Sequence, residues 1–220
     1  LALWRALPRY AQPTRMHYGQ LIGSVFAQFA RYPLHRQRSL LGCLIFAMFS
    51  VLWTSLAFLL SSEPWSYSDA TIGLFGLAGA MGALSARHAG VLTDRGHGAR
   101  LTVLGVVALL VSWGLLGLGA YSLIALVAGI VLLDLALQAV HITNMNMIFN
   151  LDEAARNRLN SGYMFLYFVG GALGSLGSAA AYQQAGWLGV CLLGGGLGVL
   201  AVGYGVWITR FSPRSQTPPG

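Results

Sequence analysis

The sequence predicts an all-α membrane protein: six transmembrane helices with both termini on the cytoplasmic side. Three observations predict it. Six apolar runs, each close to the roughly 20 residues a helix needs to cross a bilayer, alternate with short polar breaks. All thirteen basic residues are arginines, and every one falls on the same side of the resulting topology. The mean hydropathy is +0.65 and only 9% of residues are charged, which is too apolar for an ordinary soluble domain.

The elements follow in order. Residues 1–38 form a basic cytoplasmic segment punctuated by Pro8, Pro13 and Pro33. Between the last two, Leu21, Ile22, Val25, Phe26 and Phe29 recur at helical spacing, predicting a short amphipathic helix at the cytoplasmic interface. The six-helix bundle occupies 39–210, with spans at about 40–60, 71–92, 101–120, 121–148, 161–182 and 187–208, and 211–220 is a cytoplasmic tail. No signal peptide is visible, because Arg5 and Pro8 break the only apolar start. The chain begins with Leu rather than Met, so its first residue need not be the start of the gene product, and a fragment of a twelve-helix protein and a stand-alone half are both open.

Orientation comes from the breaks. Arg5, Arg9, Arg15, Arg31, Arg36 and Arg38 precede the first span. Arg95 and Arg100 lie in the second break, Arg156 and Arg158 in the fourth, and Arg210 and Arg214 in the tail. The alternate breaks hold no arginine but carry Glu63 and Asp69. Arginine marks cytoplasmic loops, so both ends are inside. Trp65, Tyr67, Tyr121, Tyr182 and Trp187 gather at the outer ends of spans, where an aromatic belt belongs. The net charge of +7 is therefore a topology signal towards an anionic leaflet, not a nucleic-acid surface.

The spans are of two kinds. Those at 101–120 and 187–208 carry almost no polar side chains and could face lipid. The first carries Ser50, Trp53, Thr54 and Ala57 on one stripe. The fourth carries Asp134, Gln138, His141 and Met145, and the fifth carries Tyr163 and Tyr167 on the face of Gly170, Gly174 and Gly177. Gly76, Gly79 and Gly82 in the second span, like the glycines of the fifth, suit close helix packing. Cys43 and Cys191 lie near opposite membrane faces, so no disulfide is expected. No cofactor is expected, and no metal site, since no second cluster completes a ligand set with Asp134 and His141.

The second break reads Gly90-Val91-Leu92-Thr93-Asp94-Arg95-Gly96-His97-Gly98-Ala99-Arg100. It resembles the G-x-L-A-D-R-x-G-R-R/K loop between helices 2 and 3, and in weaker form helices 8 and 9, of the major facilitator superfamily. The match covers Gly90, Leu92, Asp94, Arg95 and Arg100. One extra residue follows Arg95, and Gly98 and Ala99 replace basic positions, which weakens the likeness there. With six spans, both ends inside and a long basic lead, the whole chain resembles the C-terminal half of such a twelve-helix transporter. The stretch from Arg156 to Ser175 is similar to bacterial drug or sugar efflux members. The resemblance implies proton-coupled efflux of a small molecule across the bacterial inner membrane. It implies a cytoplasmic latch at the loop, and an N-terminal six-helix half or second chain as partner. For Arg87, snorkelling to the cytoplasmic surface and a salt bridge to Asp94 are both open.

Asp134 is the only acidic residue near mid-membrane, where a charge is costly by several kcal/mol, so it is the leading site candidate. Asp134, Gln138 and His141 at i, i+4 and i+7 span roughly 10 Å along one face. The carboxyl could take and release a proton as water access switches sides. Gln138 and His141 could bind a polar substrate or relay the proton, and Trp53, Tyr163 and Tyr167 could line an amphipathic cavity. Asn144 and Asn146 would mark its inner end or lie at the interface. Each of these residues also has a plain packing role open to it. Two other functions stand against transport: a truncated half or partner subunit that does not transport, and an intramembrane enzyme. The enzyme is disfavoured because Gly174-Ser175-Leu176-Gly177-Ser178 lacks the G-x-S-x-G pattern and no His lies on the last span.

Overall fold

The structure, a computed structural model, describes residues 18–80 and 83–211. They are helical, with no strand among them. In chain order the helices are α1 (Tyr18–Arg31), α2 (Pro33–Ser61), α3 (Asp69–Ala80), α4 (Ala83–Leu92), α5 (Gly98–Leu118), α6 (Leu123–Phe149) and α7 (Arg156–Phe211). A wide π-type turn at Thr93–His97 joins α4 to α5, with Gly96 at φ 82°.

Local chemistry sets the ends. Pro33 stands in the first turn of α2, where its missing N–H costs nothing, and Tyr32 before it is extended. Ser61 and Ser62 close α2 by donating to the Phe58 carbonyl at 3.3 and 2.7 Å. Ser122 caps α6 by accepting from the Ala125 N–H at 3.3 Å. Asp152 organises the approach to α7 by accepting from the N–H groups of Ala154 and Ala155 at 2.9 and 3.2 Å.

The 56 residues of α7 would make a rod of about 84 Å if straight, far longer than a bilayer core of about 30 Å. It folds back at Ala185 and Gly186. Gly186 has φ 57° and ψ −147°, a conformation that suits glycine. The Leu193 side chain lies 3.2 Å from where a Cβ on Gly177 would be. Along a straight helix those residues would be roughly 24 Å apart. So α7 consists of two antiparallel arms, 156–184 and 187–211.

α2 packs backbone to backbone on the first arm. A Cβ on Gly170 or Gly174 would strike the carbonyl oxygens of Cys43 and Ala47 respectively. This four-residue glycine spacing is a close-packing device of membrane helices. α5 fills the other side: Trp113 covers Gly194 on the second arm, and the Trp187 indole donates to the Leu116 carbonyl at 2.8 Å. α6 closes against α5 through Val140 on Gly105 and Leu116 on Gly129. Leu41, Ile45, Met48, Leu109, Ile130 and Val190 form the centre of the resulting core. Leu104 and Val111 of α5 and Leu188, Leu192 and Val199 of the second arm point outward, as side chains facing hydrocarbon do.

The helix map departs from the sequence expectation in two places. Four described helices are long and apolar enough to cross a membrane: Pro33–Ser61, His88–Leu118, Leu123–Phe149 and Arg156–Phe211. The fifth and sixth expected spans are the two arms of one helical stretch, because the break at 183–186 is only a tight reversal. The second expected span is covered by α3 and α4, on either side of residues 81–82, which lie outside the described residues. α2 starts at Pro33, so Arg36 and Arg38 belong to a helix and the expected boundary at 38 falls within it. The amphipathic segment is α1. It sits on the bundle, with Phe26 edge-on to Phe165 at 5.4 Å and Phe29 stacked on His35 at 4.5 Å. Cys43 and Cys191 are free thiols.

Candidate functional site

The Asp134 carboxyl is buried on α6, and its Oδ2 has no hydrogen-bond partner among the described residues. The α3 backbone comes close to it at Gly79. A Cβ there would lie 3.3 Å from Oδ2 and 2.6 Å from the Trp53 ring. The Trp53 indole of α2 thus stands beside the carboxyl. Its N–H is directed towards the carboxyl but falls outside good hydrogen-bond geometry, and it is buried with no other partner among the described residues. An acid, an indole and a bare backbone therefore meet where α2, α3 and α6 converge.

A ladder of rings runs from this point to His141. Trp53 lies 6.0 Å from Phe49, and Phe49 stacks on Phe46 at 5.4 Å. Phe46 stacks on Tyr167 at 4.0 Å, and Tyr167 lies 4.8 Å from the His141 ring. His141 Nδ1 is hydrogen-bonded to the Tyr163 hydroxyl at 3.0 Å. Tyr163 is fully buried, its ring filling the space left by Gly42 of α2. Gln138 is half-buried on the Asp134 stripe, one turn from the carboxyl. Trp53, Asp134, His141, Tyr163 and Tyr167 thus form one connected assembly across α2, α6 and α7. Phe46 and Phe49 complete it. Sequence reasoning passed over both, although with Trp53 they repeat at helical spacing. An open apolar groove of about 620 Å³ runs along α6 between Leu123 and Leu135. Its lining is wholly aliphatic, so it offers no group to orient a ligand.

The loop motif lies at the wide turn between α4 and α5. Asp94, Arg95 and Arg100 are exposed. Gly90 faces Asn146 and Ile142 with ordinary clearance for a methyl group, 3.8 and 3.9 Å. The tighter approach is at Gly98, where a Cβ would meet Met147 at 3.2 Å. Thr93 and Thr143 join the turn to α6 at 3.2 Å. The side chain of Arg87 lies outside the described residues, and with it the expected salt bridge to Asp94.

Arg38 is the residue the sequence most misplaced. Counted there among loop arginines, it is only 2% exposed in the bundle. Its Nη1 donates to Thr102 Oγ1 at 2.6 Å and, more weakly, to Asn144 Oδ1 at 3.4 Å. No group of three metal-ligating side chains occurs among the described residues.

Comparison with known proteins places this assembly in a context. The chain is 53% identical over 194 residues to an uncharacterized transporter, YgaY, of Escherichia coli O157:H7, covering 88% of this chain and 49% of that protein. The chain is a relative of proteins named as transporters. It is 36% identical over 152 residues to the probable transporter SCO4007 of Streptomyces coelicolor, 69% of this chain and 35% of that one. It is 23% identical over 162 residues to an uncharacterized transporter of Buchnera aphidicola, 74% of this chain and 40% of that one. The chain spans half or less of the length of these curated relatives. No family model matches it, and no solved structure matches it. The transporter-named relatives and the long apolar helices together make this a multi-pass helical membrane protein.

Proposed function

We propose that this chain is the C-terminal six-helix half of a major facilitator transporter in the bacterial inner membrane, with both ends cytoplasmic. The protein would export a drug- or sugar-like solute in exchange for protons. α2, the α3–α4 pair, α5, α6 and the two arms of α7 would be its six crossings. The reversal at Gly186, the one-sided arginines and the names of the relatives support this reading.

The observation that carries it is the unpartnered Asp134 carboxyl beside Trp53 and the aromatic ladder. A membrane-buried ionisable group is a functional-site hypothesis by default. With one oxygen unpaired, the carboxyl is free to bind a proton or a solute donor when either reaches it. The rings offer flat apolar surface for a solute, and the His141–Tyr163 pair offers polar anchoring. Rocking of two halves about a midplane site would then expose the carboxyl to one side at a time.

The test uses the full-length protein in everted membrane vesicles energised with a proton gradient. A panel of lipophilic dyes and sugars is screened for accumulation that a protonophore abolishes. Accumulation of at least one solute, lost in Asp134→Asn, is the expected result. Gradient-independent behaviour across the panel would remove the reading.

A further inference from the structure

We propose that Arg38 and Asn144 form a binding site for an oxyanion, a carboxylate or phosphate group, in the cytoplasmic half of the bundle. The chain has six acidic residues, and all lie among the described ones: Glu63, Asp69, Asp94, Asp134, Asp152 and Glu153. None forms an ion pair with Arg38, and the one salt bridge among the described residues is the surface pair Arg156–Glu153. Asp134 is ten residues from Asn144 on the same helix, roughly 15 Å away. Asp152 is occupied by the Tyr32 hydroxyl at 2.8 Å.

Among the described residues, the Arg38 guanidinium is therefore buried with neutral oxygens only. Removing one partner from a buried charge, or never supplying it, is strongly unfavourable, and arginine cannot escape by losing its proton. Two donors here lack a partner in good hydrogen-bond geometry: Arg38 Nε, and Asn144 Nδ2, which has the Tyr163 hydroxyl as its near neighbour. Asn144 is fully buried. Donors without acceptors around a fixed positive charge are the complement of an oxyanion, which arginine binds through parallel N–H groups. The Tyr163 hydroxyl, close enough to act on Arg38, links the site to His141 and so to the aromatic assembly. In this conformation the guanidinium is covered. An anion reaches it when the cytoplasmic ends of α2 and α7 part.

The experiment measures Tm of the full-length protein in nanodiscs by tryptophan fluorescence. Inorganic phosphate is titrated at constant ionic strength against chloride. The expected result is a saturable rise of several degrees in zwitterionic lipid, absent in Arg38→Gln. Asn144→Asp supplies an internal counter-ion, so it should raise Tm without phosphate and abolish the response; this variant decides the matter even if Arg38→Gln does not fold. If the wild type is instead raised by phosphatidylglycerol in the nanodisc and then ignores phosphate, the oxyanion is a lipid headgroup. A wild type indifferent to phosphate and to phosphatidylglycerol overturns the proposal. So does a phosphate response that survives in Arg38→Gln or Asn144→Asp.

Discussion

Replacing Gly170 with alanine should loosen the joint between α2 and the first arm of α7. The added methyl would lie 2.7 Å from the Cys43 carbonyl carbon and 2.8 Å from its Cα, and closer still to its oxygen. Normal contact between carbon atoms begins near 3.5 Å. The obstacle is backbone, which no rotamer change can relieve, so the two helices must separate by about 1 Å. Separation also opens the Gly174–Ala47 contact one turn along. Overpacking of this kind costs about 1–3 kcal/mol. The helix-propensity gain of alanine over glycine, up to about 1 kcal/mol, offsets part of it. A Gly170→Ala/Gly174→Ala double variant should cost less than the sum, because one separation relieves both clashes. Gly73→Ala is the control: nothing lies within 4 Å of its added methyl, so stability should be unchanged or slightly raised. Thermal unfolding in detergent, followed by tryptophan fluorescence, reads the wild type, the two single variants Gly170→Ala and Gly174→Ala, the double variant and Gly73→Ala. A Gly170→Ala variant as stable as Gly73→Ala would refute the backbone-contact argument.

Three further outcomes are expected. Gly186→Ala should destabilise by about 1–3 kcal/mol in the same unfolding assay, because φ 57° with ψ −147° strains an L-residue. Tyr163→Phe removes the hydrogen bond to His141 and should cost about 0.5–1.5 kcal/mol there, with the ring still seated on Gly42. At the surface of the bundle, the Tyr32 hydroxyl and the N–H groups of Ala155 and Ala154 hold the Asp152 carboxyl below its ordinary value. A depressed carboxylate contributes stability above the ordinary carboxylate pKa and loses it as pH falls through the lowered one. Wild type and Tyr32→Phe should therefore differ in Tm at pH 6 and converge as the pH falls below about 4, and a constant difference would exclude this origin.

Much of this arrangement is legible in the sequence, and the gaps have physical reasons. Apolar runs about 20 residues long declare themselves because hydrocarbon tolerates few polar groups. The Asp134 stripe stands out for the same reason, since a lone acid in an apolar run has no surface to hide on. Hydropathy misplaces Arg38 because it treats every arginine before a span as loop. Only the helix start at Pro33 shows that this one turns inward. The approach of Gly79 to Asp134 is a tertiary fact that no local pattern carries. Phe46 and Phe49 sat on the right helix, yet their meaning depends on Tyr167 arriving from a segment 120 residues away. The polar break at 183–186 marks the reversal in the sequence, but its tightness rests on one glycine's backbone angles.

The central claim is that Asp134 couples protons to solute movement. The most direct measurement compares gradient-driven accumulation with solute exchange at zero gradient, in proteoliposomes of wild type and Asp134→Asn. Exchange needs the site but no net proton release, whereas accumulation needs both. The account predicts that Asp134→Asn keeps exchange and loses accumulation. Accumulation at the wild-type level in Asp134→Asn would contradict it.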